Sequence, residues 1–257
     1  MEINSGDTAW VLMSAALVML MTPALGFFYG GLVRRGNVLA TVMHSFTILA
    51  IVSVIWVLWG YSLAFGPDKR GFVGGLEWFG LRDVGMVPGP YSDTIPHTAF
   101  MIFQGMFAII TPALITGAFA ERFRFKALVI FTVVWSTLVY APVAHWVWGA
   151  GGWLRDYGAL DFAGGTVVHI TSGVSALVAA AMLGKRVGFG QAKMDPHNLT
   201  LTVLGAGLLW FGWFGFNAGS ALAANGLAAH AFVVTNTAAA MGALSWVAVT
   251  WLRDGRP

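Results

Sequence analysis

Cysteine is missing from all 257 residues, which rules out a disulfide framework and leaves the redox compartment unreadable. Charge is almost as scarce: Asp, Glu, Lys and Arg together make up 10% of the chain, against about 25% in soluble domains. With 58% hydrophobic residues and a mean hydropathy of +0.75, the polypeptide has too little polar surface to cover itself in water. Also lacking are a nucleophile paired with a base, a ligand cluster spaced for zinc, and a phosphate-binding loop, so a membrane enzyme, a metal or a cofactor has no support. Residues 1–10 carry Glu2 and Asp7 but no basic residue, unlike the start of a signal peptide. The net charge of +3 points weakly toward nucleic acid, and its distribution removes that reading.

What fills the chain is long apolar runs. Seven are of spanning length, at about 9–33, 39–65, 97–119, 127–149, 162–183, 199–220 and 226–252. They predict an all-α membrane protein, a polytopic helical bundle embedded in a lipid bilayer. One sizeable loop, about 66–96, is punctuated by Gly-Pro and Pro-Gly pairs. Ten of the 14 basic residues (Arg34, Arg35, Arg122, Arg124, Lys126, Lys185, Arg186, Lys193, Arg253 and Arg256) fall on one side. Lys69, Arg70, Arg82 and Arg155 fall on the other. The positive-inside rule makes the richer side cytoplasmic, with the N-terminus outside and Pro257 inside a cell membrane. Trp10, Trp78, Trp148, Trp153 and Tyr157, near span ends or in outer loops, read most simply as an interfacial belt, and the Gly26–Gly30 and Gly215–Gly219 spacings as helix-packing faces.

The fifth span holds the sharpest signal. A helix starting at Asp161 carries His169 about 12 Å deeper, near the middle of a hydrocarbon core about 30 Å thick, and an ionisable group there marks function. The alternating spans bring Trp148, Phe103, Phe107, Phe216, Ser220 and Asp161 to one level above it. Taken singly, each aromatic is more simply explained by packing, and Asp161 by capping of its helix. Together they make a pore mouth for a small cation, because ring faces attract positive charge and a serine oxygen accepts a hydrogen bond. His44, His97, His145, His197 and His230 read as packed or interfacial, and Glu121 with Arg122 as a charge cluster at a helix end.

An ordered set of segments carries a family likeness: Phe27-Phe28-Tyr29-Gly30-Gly31-Leu32-Val33-Arg34, Phe103-Gln104-Gly105-Met106-Phe107-Ala108, Gly117-Ala118-Phe119-Ala120-Glu121-Arg122, Ala144-His145-Trp146-Val147-Trp148-Gly149, Asp161 through His169, and Gly212-Trp213-Phe214-Gly215-Phe216-Asn217-Ala218-Gly219-Ser220. The chain resembles the ammonium transporter (Amt/Mep/Rh) superfamily, most closely its bacterial and archaeal Amt branch. By that resemblance Trp148, Phe107 and Ser220 match an outer recruitment site for ammonium. Phe107 and Phe216 match a stacked phenyl gate, His169 the first of two pore histidines, and Asp161 the carboxylate supporting the site; Phe103, placed at the mouth by the span topology, is expected among the substrate-binding residues.

The resemblance implies two five-helix repeats of opposite orientation plus an eleventh helix, with the substrate path at the repeat interface. Seven spans correspond to the first repeat and two helices of the second. The expectation is therefore part of a longer transporter, with helices 8 to 11 and the second histidine beyond these residues. So too is the cytoplasmic tail through which relatives meet the PII signalling protein. The family also implies a homotrimer. The expected activity is capture of NH4+, its deprotonation, and conduction of NH3 past His169 with the proton returned or relayed. Two alternatives stand beside it: an ammonium sensor using the same site, and an inactive fragment. A retinal protein is disfavoured because residues 226–252 contain no lysine for a Schiff base.

Overall fold

The computed structural model describes residues 2–255; Met1, Arg256 and Pro257, including the assignments of Arg256 and Pro257 to the basic side, lie outside the described residues. Seven helices are long and apolar enough to cross a membrane: α1 (Ser5–Leu32), α2 (Arg35–Phe65), α3 (His97–Phe119), α4 (Phe125–Asp156), α5 (Gly165–Leu183), α6 (Leu199–Ala221) and α7 (Gly226–Asp254). The molecule is an all-α polytopic membrane fold. In α4 the helix breaks at residues 149–152 before its last turn, Trp153–Asp156.

Polar contacts identify the two ends of the bundle. At the loop face, Asn4 donates its backbone N–H to Thr94 and Ala224 donates to the Asp7 carboxylate, gathering α1, the long loop and the α6–α7 connection. At the basic face, Asn198 donates to the Gly31 carbonyl, joining the end of α1 to the start of α6. Between these ends α1 and α3 form the centre. Helix α1 packs on α2, α3 and α6, and α3 packs on α1, α2 and α5. The α1–α6 seam works because α6 presents Gly205, Gly212 and Gly219 at seven-residue intervals. A Cβ on Gly205 would enter the Phe28 backbone, one on Gly212 the Met21 side chain, and one on Gly219 the Ser14 side chain. Without water to drive association, such close backbone approach supplies the packing energy.

The long loop is more ordered than its turn-rich sequence predicts. It holds two antiparallel hairpins, β1 (Asp68–Lys69) with β2 (Val73–Gly74) and β3 (Pro88–Gly89) with β4 (Ser92–Pro96). Asp68 anchors the first, accepting the Gly71 N–H at 2.7 Å and lying 2.9 Å from Nε2 of the buried His145 on α4. That hydrogen bond from His145 holds the Asp68 carboxyl below the usual aspartate range.

At the basic face Glu121 pairs across the bundle with Arg34, where a local cluster with Arg122 was expected. Its backbone turns left-handed just past α3 (φ 64°), swinging the carboxylate toward α1. There it accepts the Arg34 backbone N–H at 2.8 Å and Nε–H at 2.6 Å, together with a terminal guanidinium N–H. Burial pushes the Glu121 carboxyl up, and the side-chain and backbone hydrogen bonds from Arg34 outweigh it, leaving the group below its ordinary value. Arg122 turns away and donates to the Ala118 and Gly184 carbonyls.

Candidate functional site at the loop face

A cavity of about 560 Å³ opens among α3, the end of α4, the start of α5 and the end of α6. Phe107, Trp148, Asp161 and Ser220 line it together with Phe65, Tyr91, Phe100, Gln104 and Arg155. Phe100, Gln104 and Phe107 fall at i, i+4 and i+7 on α3, which is one helix face.

Trp148 forms one wall. Its indole N–H donates to the Asp161 backbone carbonyl at 2.9 Å, and its ring meets Phe107 edge to face at 5.9 Å between centroids. Below Phe107 lies Phe216, centroids 4.5 Å apart and planes tilted by 50°. Both phenyls are about 1% exposed. Phe216 in turn stacks on His169 at 5.7 Å, and His169 stacks on Trp213 at 5.7 Å with the rings within 12° of parallel. The rings thus form one continuous series from the cavity floor to the imidazole. Phe103 stands behind the series; it is fully buried, meets Phe107 edge to face at 5.0 Å, and packs toward Gly219. The Ser220 hydroxyl donates to the Phe216 carbonyl at 2.8 Å, which leaves its oxygen lone pairs without a donor on the cavity wall.

Asp161 is saturated. Its two carboxylate oxygens accept the backbone N–H groups of Gly164, Gly165, Thr166 and Val167 at 2.5–2.9 Å, four of the orphan donors at the start of α5. The helix therefore begins at Gly165 and not at Asp161, and His169 sits about one turn inside it instead of two. Gly164 makes this cap sterically available. Its φ is +104°, and a Cβ there would come 2.7 Å from Val168 Cγ2 and 3.7 Å from the Trp148 ring. The first stretch of α5 is wound as a π-turn, with His169 N–H donating to Gly164 five residues back at 3.0 Å. Of the three further π-turns among the described residues, Trp56–Gly60, Ser136–Tyr140 and Phe214–Ala218, the last holds Phe216. Wide turns of this kind re-aim side chains and gather at functional sites.

A second cavity, about 510 Å³, lies toward the basic face among Tyr29, Leu114, Ala176, Arg122 and Arg186. Leu114 and Ala176 each lie seven residues, about two turns, beyond Phe107 and His169 on their helices. The ring series thus separates two cavities.

The structure brings Trp148, Phe107, Ser220 and Asp161 around one space, with Phe216 and His169 beneath. Two neighbours do not stand out in the sequence. Gln104 is one residue within a family motif there, although its i−3 spacing from Phe107 is a signal that could have found it. Trp213 lies three residues before Phe216, but the π-turn that aligns both with His169 leaves no mark in hydropathy.

The family model described as Ammonium Transporter Family matches residues 9–257. The ammonium transporter of Bacillus subtilis (strain 168) is 59% identical over 255 residues, covering 99% of this chain and 62% of the relative. A putative ammonium transporter of Methanothermobacter thermautotrophicus is 52% identical over 259 residues, covering 100% and 62%. Among solved structures, Candida albicans Mep2 is 39% identical with a TM-score of 0.90, covering 99% of this chain and 57% of that one. The chain spans 62% of the length of each of these curated relatives. With the match extending over nearly all of its residues, the chain belongs to the ammonium transporter family.

Proposed function

We propose that the chain forms the ammonium-capturing part of a transporter. It binds NH4+ in the loop-face cavity between Trp148, Phe107 and Ser220, and passes NH3 along Phe216 and His169 toward the basic face. The observation that carries this reading is the Phe107–Phe216 contact, 4.5 Å between centroids, beneath a cavity lined by aromatic rings and by Ser220, whose hydroxyl proton is committed to Phe216. Moving an ammonium-sized ion into a dry interior costs on the order of 20 kcal/mol in the idealised limit. Ring faces offset about 0.5–2 kcal/mol each and a hydroxyl about 1 kcal/mol. The balance permits capture at the mouth and forbids passage of the intact charge. NH4+ gives its proton to cavity water or to a relay through His169, and the neutral molecule crosses. K+ has no proton to shed and is rejected. Asp161 supports the site by position: its carboxylate fixes the start of α5 while its carbonyl fixes the Trp148 indole. Phe103 backs Phe107.

In the cell the loop face is outside and the basic face cytoplasmic, following the asymmetry of Lys and Arg. The assembly is a homotrimer built on small-residue helix faces, and the PII protein is a partner only where a cytoplasmic tail accompanies these helices. Uptake of labelled methylammonium into proteoliposomes, using the complete reading frame that contains these residues, tests the reading. Trp148→Leu should weaken capture and let K+ compete, and His169→Ala should abolish or reroute conduction. Undiminished, selective uptake by both variants would refute it.

A further inference from the structure

We propose that Gln104 is a substrate-contacting residue whose amide oxygen accepts an N–H of the ammonium ion in the loop-face cavity. The inference rests on the transport reading above and adds to it a second hydrogen-bond acceptor.

It follows from accounting for every polar side chain on the cavity wall. Tyr91 donates its hydroxyl to the Phe65 carbonyl at 2.7 Å and accepts the Ala150 N–H at 3.0 Å. Asp161 is filled by four backbone donors. Arg155 and Trp148 offer only N–H groups and no acceptor; one guanidinium N–H goes to the Trp148 carbonyl and the indole N–H to that of Asp161. Ser220 keeps free lone pairs because its proton is committed to Phe216. Gln104 remains: its Oε1 is shielded from solvent and has no hydrogen-bond partner. A buried carbonyl without a donor is destabilising, and an amide can rotate to present oxygen instead of nitrogen. A half-turn of the amide brings the oxygen to the cavity side of Gln104, where a cationic N–H donor held in the cavity can meet it. Ammonium has four N–H bonds directed tetrahedrally. Two can meet the faces of Phe107 and Trp148, one Ser220, and the fourth is complementary to Gln104, one turn from Phe107 on the same helix face.

The test uses the complete reading frame in proteoliposomes, with methylammonium uptake measured against concentration and thermal unfolding followed with NH4Cl or NaCl. Gln104→Leu keeps the side-chain volume and removes the acceptor. It should raise KM about tenfold, since a hydrogen bond to a charged group is being removed, with maximal rate retained. It should also raise the apo Tm and shrink the Tm increment that a given NH4Cl concentration gives the unmodified protein. Gln104→Glu, which restores an acceptor, should return KM to or below the starting value. If the unmodified protein transports and Gln104→Leu shows an unchanged KM and an intact NH4Cl increment, the amide is structural and the proposal is wrong. It is equally wrong if the Glu and Leu variants behave alike. If the unmodified protein does not take up methylammonium, the transport reading itself fails. Should Gln104→Leu not fold, Gln104→Met supplies the same comparison.

Discussion

Helices α3 and α7 are both long, apolar and able to span a membrane, yet the apolar window of α3 is 78% buried within the molecule and that of α7 only 6%. Helix α3 lies between α1, α2 and α5, close enough that Gly105 abuts the Trp56 indole. It supplies Phe100, Phe103, Gln104 and Phe107 to the site. Helix α7 leans mainly on α6, through a Phe214–Phe232 stack at 4.0 Å and a hydrogen bond from Asn217 to the Thr235 hydroxyl at 2.9 Å. In water such a difference in burial would be written in composition. In a bilayer lipid is as apolar as a neighbouring helix, so both helices carry the same kind of side chain, and what separates them is glycine contacts and buried polar links.

The largest effect should come from the middle of α3. Phe103→Ala removes a fully buried ring that backs Phe107 and fills the space beside Gly219. It should destabilise by about 3–5 kcal/mol, read as a lowered Tm in detergent, and should weaken methylammonium uptake as Phe107 loses its support. A loss below about 1 kcal/mol would mean that α3 is no more of a core than α7.

The basic end of α3 comes next. Glu121→Gln leaves Arg34 with a neutral acceptor; because Arg34 is partly exposed and screened by solvent, Tm should fall by less than for Phe103→Ala. The pH dependence has a definite sign. The folded-state pKa of Glu121 is depressed, so its contribution is complete above the ordinary glutamate range and is lost as pH falls through the depressed value. The Tm advantage of the unmodified protein over Glu121→Gln should therefore be full at neutral pH and shrink under acid. An advantage that grows with acid would contradict the ion pair.

The same contrast explains what could be read from the sequence. An all-helical membrane bundle was legible because hydropathy reports the solvent, and the cavity residues Trp148, Phe107 and Ser220 were legible because alternating spans bring them to one level, whereas Phe216, expected at that level, lies beneath Phe107. Pairings were not. Nothing in the order of residues said that Glu121 would choose Arg34 over adjacent Arg122, since that depends on a left-handed turn after α3. The expected depth of His169 along its helix was too great because Asp161 collects four N–H groups and delays the helix to Gly165. Trp213 and Gln104 were hidden among many apolar and glycine-flanked neighbours. A π-turn or an unpartnered amide becomes visible only once the surrounding helices are in place.

On α7 the effects should be small and confined to the contacts with α6. Thr235→Val keeps the side-chain shape but removes the acceptor of the Asn217 amide, and should lower stability by about 0.5–1.5 kcal/mol. Trp246→Ala, at a residue 78% exposed, should change stability by no more than about 0.5 kcal/mol, read as a nearly unmoved Tm. The pair separates two views of α7. If Thr235→Val is felt and Trp246→Ala is not, the helix is held along one narrow polar and aromatic strip, and its remaining surface has no protein partner under the conditions of measurement. If Trp246→Ala destabilises as strongly as Phe103→Ala, that surface is packed against protein in the assembled molecule. The difference in burial between α3 and α7 would then belong to these residues in isolation.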